Sequence, residues 1–167
     1  MSLEQEILNW DGKSSADISD IYSRYSCESN FTITLVDLCK RIDLQKGATW
    51  LLKKHLESNH SLSRAQIAII YTLAPNLHGW EAKLHILQSM AYMPVGEQEK
   101  QGVEVFLRNC LMSDNKFVRA WAYNGFYKLA LQYPEYKAEV KKFLDMAMKD
   151  EAASVKARVR NILKRGF

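Results

Sequence analysis

The sequence predicts an all-α chain in which about four helical hairpins stack as a right-handed α-α superhelix. Three observations carry this expectation. First, Val103, Phe106, Leu107, Cys110 and Leu111 recur as Val140, Phe143, Leu144, Ala147 and Met148, every member displaced by 37 residues. Each set has the i, i+3, i+4, i+7, i+8 spacing of one apolar helical stripe. Second, Val118, Trp121, Ala122, Gly125 and Leu129 form another stripe after the short turn Ser113-Asp114-Asn115, and Val118 and Ala122 recur as Val155 and Val159. A short turn makes the two helices antiparallel neighbours. Third, no stretch alternates with the period of a strand. A lone hairpin cannot bury its apolar face, whereas stacked copies can.

In chain order, residues 4–10 read as a short helix ended by Asp11-Gly12, and Met1–Leu3 carry no structural role. Ser14 or Ser15 caps a helix with the stripe Ile18, Ile21, Tyr22 and Tyr25. After a turn over Ser26–Asn30, a first hairpin runs from Leu35, Leu38, Cys39 and Ile42 into Ala48, Leu51, Leu52 and Leu56, with Lys46-Gly47 at its turn. Ser61 or Ser63 opens the next helix, whose expected stripe is Ala65, Ala68, Ile69, Thr72 and Leu73, 38 residues before the Val103 set. Pro75 ends it, and Gly79–Tyr92 follows, with Trp80 and Leu84 as its apolar positions. Pro134 separates the last two hairpins. These signals divide the chain into a helical cap, 1–31, and a repeat domain, 32–167, with eight core helices and one or two more in the cap. Phe106, Leu107, Phe143 and Leu144 are the expected core.

Composition fits a soluble domain: 167 residues, 47% hydrophobic and 25% charged. No apolar run is long enough to span a membrane, and the start lacks the basic-then-apolar pattern of a secretion signal. Cys27, Cys39 and Cys110 are odd in number and far apart, and two of them sit on apolar stripes. A reducing, cytoplasmic location is therefore expected. Net charge is +4 but uneven: residues 1–31 carry −4, leaving +8 on the rest. Residues 154–167 hold Lys156, Arg158, Arg160, Lys164 and Arg165 and no acid. That asymmetry points to an acidic partner, although cations in a last turn also favour the helix dipole.

Asp114-Asn115-Lys116-Phe117-Val118-Arg119-Ala120-Trp121-Ala122 resembles the turn and second-helix start of a HEAT repeat, which favours Asp in the turn, then Val-Arg, then Ala. Asp150 with Val155-Lys156 and Val159 is a looser copy, and in the unit Ala65–Met90 Asn76 stands nearest the place of the acid and Glu81 replaces the base. The resemblance spans roughly residues 32–165. It implies a HEAT-like, armadillo-type fold whose second helices line a concave surface, with the turn acid and helix Arg linking neighbouring repeats. On that reading Asp114 is structural and caps the helix that follows it.

The candidate binding ridge takes the position after the first apolar residue of each second helix and steps by four, which stays on one face. It comprises Arg119, Tyr123, Tyr127, Lys156, Arg160 and Lys164, with the acids Asp145, Asp150 and Glu151 expected away from it. Cations beside aromatics hold phosphates and stack on bases, yet a solvated charged face has the same signature. No catalytic, metal or phosphate-loop motif occurs. His55 and His60 stand five apart, off the same-face spacing. No cofactor is expected. The favoured expectation is a non-catalytic module for a protein or peptide partner. The alternative is a nucleic-acid binder that faintly resembles the HEAT-like alkylpurine-DNA glycosylases, which grip the DNA backbone in a basic concave groove and use a carboxylate between aromatics. Asp114, near Trp121 and Arg119, is the only group that invites the comparison, and no catalytic role is carried over to it.

Overall fold

The computed structural model describes residues 1–167 and contains ten α-helices and no strand. These are α1 (Leu3–Asn9), α2 (Ser15–Tyr25), α3 (Phe31–Leu38), α4 (Gln45–Glu57), α5 (Arg64–Leu73), α6 (Trp80–Ser89), α7 (Lys100–Leu111), α8 (Lys116–Gln132), α9 (Lys137–Asp150) and α10 (Ala153–Arg165). Short 3₁₀ turns follow α5, α6 and α8, each at or beside a break the sequence marks: Ala74–Asn76, Met90–Tyr92 and Pro134–Tyr136. No helix is long and apolar enough to cross a membrane.

Helix starts follow local chemistry. Ser14 accepts a hydrogen bond from the Asp17 amide, and Ser63 makes a full capping box with Gln66. Ser2 does the same with Gln5, and Leu3 is buried, so the first residues contribute to the fold after all. The cap of α8 also differs from expectation. Asn115 takes the extended N-cap conformation and its carboxamide oxygen accepts from the Phe117 and Val118 amides. Asp114 stands one residue too early to reach them and is exposed. Lys46 and Gly47, expected in a turn, lie inside α4.

The first helices α3, α5, α7 and α9 alternate with the second helices α4, α6, α8 and α10. The second helices touch in series: α4 packs on α6, α6 on α8, and α8 on α10. Leu3, Ile7, Ile18 and Ile21 join the same hydrophobic core as Val103, Phe106, Leu107, Val118 and Val155, so the cap is fused to the rest. Phe106, Leu107 and Leu144 are buried, and Phe143 is half-buried against Phe126, with ring centroids 5.2 Å apart.

Two stripes are corrected. In α5 and the turn after it the core positions are Ile67, Ile70, Tyr71 and Ala74, whereas Ile69 is 38% exposed; in α6 they include Ala82 and Ile86, whereas Trp80 is 46% exposed. These positions precede Val103, Phe106, Leu107, Cys110, Val118 and Ala122 by 36 residues, not 38. Phe31, Leu35 and Leu38 lie a further 36 back, and all three are buried. Residues 65–70 offer apolar side chains on every face of the helix, so two registers compete. Tyr71 decides between them, because its ring is buried while its hydroxyl reaches the Met93 carbonyl.

Gly125 shows how closely the helices approach. A Cβ there would lie 2.5 Å from Leu107 Cδ2 and 3.1 Å from Met90 Sδ. Replacing glycine by alanine in a helix ordinarily gains about 1 kcal/mol, while overpacking a core costs about 1–3 kcal/mol. Gly125→Ala is expected to lose about 1 kcal/mol or more in a urea titration. A gain would mean that α6, α7 and α8 stand further apart.

Candidate functional site

The six ridge positions do not form one open surface. Arg119, half-buried on α8, donates from Nε to Glu151 Oε1 at 3.0 Å and Oε2 at 3.3 Å, and from Nη1 to the carbonyls of Ser113 and Asp114. Glu151 lies in the turn between α9 and α10, so the expectation that the nearby acids face away is overturned. Tyr123 is buried with its hydroxyl 3.5 Å from Glu151 Oε1, and burial, then Glu151, push its phenol up to about 12. Tyr127 is buried and donates to the Gly166 carbonyl at 2.7 Å. Lys156, Arg160 and Lys164 hold the equivalent positions of α10; Arg160 and Lys164 are exposed, Lys156 is half-exposed, and none has an acid partner.

The ridge register is therefore a seam, the line along which each second helix meets the next hairpin. Thr49 on α4 shows the same geometry, with Oγ1 2.9 Å from His85 Nδ1 on α6. Position 119 and its four-residue successors point along the stack, and the open face lies roughly two residues round the helix.

On that face is a groove of about 370 Å³. Helix α4 supplies Lys53 and Glu57, α6 supplies Gln88, the turn after it Tyr92, α8 supplies Trp121, Asn124 and Lys128, and α10 supplies Arg158 and Arg165. The Arg158 Cζ sits 3.9 Å from the centre of the Trp121 ring, so the guanidinium lies on the indole face. Burial, then the neighbouring Arg165, pull the Arg158 guanidinium downward, although it keeps its proton. Lys53 is neutralised by Glu57 at 2.9 Å. Lys128, Arg158 and Arg165 pair with no carboxylate. Asn124 lines the groove, is 5% exposed and makes no side-chain hydrogen bond within the protein, its polar atoms remaining open to solvent.

The ridge reading missed these residues, yet the repeat offset marks them. Trp121, Asn124 and Lys128 become Arg158, Asn161 and Arg165 after 37 residues, and Gln88 and Tyr92 stand 36 before Asn124 and Lys128. Asn124, set between the apolar positions Ala122 and Phe126 of α8, is the local signal.

The largest cavity, about 1130 Å³, lies between the start of α5, residues 92–99 and the end of α8. There Gln132 binds both the amide and the carbonyl of Val95, and Tyr133 donates to the same carbonyl. Asn59, at φ 66°, turns the chain back beyond α4 and stacks His60 on His55 at 4.4 Å, which helical spacing alone did not foresee. His55 Nδ1 lies 3.1 Å from the Tyr22 hydroxyl, and no three His, Cys, Asp or Glu side chains cluster as metal ligands. No family model matches the chain, and no curated protein or solved structure matches it either.

The seam carries a pH dependence. Burial, reinforced by Lys53, pushes His85 down to about 4, below the unfolded value of about 6.5. The unfolded chain then binds the proton more readily, so this stability is present above pH of about 6.5 and is lost as pH falls through about 4. His55 is lowered by burial and acts in the same direction. The melting temperature is expected to drop between pH 7 and 4.5, and His85→Gln to flatten that drop while leaving a remainder from His55. An unchanged slope in the variant would place the proton uptake elsewhere.

Proposed function

We propose that this chain is a non-catalytic, HEAT-like repeat module, a right-handed superhelix of about four hairpins, that binds a protein or peptide through the groove on its second helices. The observation that carries this is the groove itself. Four successive second helices each contribute to one open face, and the side chains there recur with the repeat offset. Repeats stacked in this way present an extended surface without a reactive group. The pairing of Arg119 with Glu151 of the following hairpin is the kind of link between neighbours that the HEAT resemblance implies. The three cysteines are free thiols, two of them buried, which fits a reducing compartment such as the cytoplasm.

The test is site-specific. A photo-crosslinking amino acid is placed at Gln88 in the groove, and in a control at Val105, which is 51% exposed on α7. In nuclease-treated lysate of the source cells, the Gln88 probe is expected to yield a discrete protein adduct that the Val105 probe does not. Adducts of equal pattern from both positions, or adducts lost with nuclease, would contradict the reading.

A further inference from the structure

We propose that the groove receives an acidic peptide segment, with a carboxylate held by Arg158 and Arg165 and the peptide main chain held by the Asn124 carboxamide. This rests on the groove being the binding face of the module and names the chemistry of what binds there.

The cations come first. Lys128, Arg158 and Arg165 converge on one end of the groove with no acid among them, and Arg165 lies close enough to Arg158 to oppose its charge. Like charges held together without counter-ions raise the local concentration of an anion. The stack comes second. With its guanidinium fixed on the Trp121 face, Arg158 presents its N–H edge in a set orientation, and a planar fork of donors matches a carboxylate through two parallel bonds. Asn124 is the third and independent observation. The residue is 5% exposed and its side chain bonds to nothing in the protein, while its polar atoms keep contact with solvent where it lines the groove, so a ligand group can take the place of water there. Its carboxamide has both donors and an acceptor, the complement of a peptide group.

Peptide is favoured over nucleic acid by how the charge is distributed. A nucleic-acid strand carries a phosphate about every 3.4 Å and needs cations along its path. Here the α4 portion is neutralised by Glu57 and α6 offers Gln88, so the uncompensated charge covers only the α8–α10 end. The indole face on which a base would stack is already taken by Arg158.

The experiment is fluorescence anisotropy at low salt with the full chain. The probes are a labelled peptide of about ten residues with glutamate at alternate positions, the same peptide with glutamine, and a single-stranded DNA of similar length. The glutamate peptide is expected to bind at least about tenfold more tightly than either comparator. Arg158→Gln, Arg158→Lys and Asn124→Leu are each expected to weaken it about tenfold. Lys141→Gln, which removes an exposed cation of α9 outside the groove, leaves it unchanged. Circular dichroism and melting identify any variant that has lost its fold, and the wild-type peptide comparison stands without the variants. Equal binding of the glutamate and glutamine peptides overturns the proposal, as does tighter binding of the DNA or an equal loss in Lys141→Gln. Should the groove probe capture a protein while the glutamate peptide fails, the acidic chemistry falls and the module stands. If that probe captures nothing groove-specific, the module itself falls.

Discussion

The contact between successive second helices is the constraint on which the rest depends. Helix α8 lies between α6 and α10, and its centre holds Gly125 because Leu107 and Met90 leave no room for a side chain. Hydrogen bonds cross this line at intervals, between Thr49 and His85, from Arg119 to Glu151 and from Tyr127 to the Gly166 carbonyl. The apolar surface of any one hairpin is covered only by its neighbours, and the hydrophobic core accordingly runs from Leu3 to Ile162 without a break.

The groove follows from the seam. With the helices held in register, side chains one short rotation away from the seam line up from helix to helix. Trp121 then meets Arg158, its counterpart in the next unit, and Lys128 is the counterpart of Arg165. Cations that would repel one another are kept together by the apolar contacts behind them. The cost is offset elsewhere, since burial of even one leucine-sized side chain contributes about 1.5–3 kcal/mol.

How far the structure was legible in the sequence depended on how unambiguous each helix face was. The stripes of α7 and α9 have charged residues between their apolar ones, so only one register was open. In α5, Ala65, Ile67, Ala68, Ile69 and Ile70 spread apolar side chains around the helix, and only the tertiary setting of Tyr71 distinguished the two offsets. Asp114 and Asn115 are both good caps, and the choice between them turned on which residue adopts the extended backbone. That the ridge positions do not make one open face has a simpler reason. Tyr123 and Tyr127 are amphipathic, and their hydroxyls are satisfied by Glu151 and Gly166 across the seam, so their polarity was taken for exposure. Asn124 is the opposite case, a residue only 5% exposed that stays polar and meets solvent rather than a protein partner.

Whether the seam runs where it is placed can be measured by hydroxyl-radical footprinting with mass spectrometry, because tyrosine and tryptophan both label readily when solvent reaches them. A seam through positions 119, 123 and 127 predicts that Tyr123 and Tyr127, 8% and 4% exposed, are protected to nearly the level of Tyr71, while Trp80 and Tyr92 are labelled freely. Labelling of Tyr123 and Tyr127 at the rate of Tyr92 would contradict it, by showing that the second helices do not close on one another along that line.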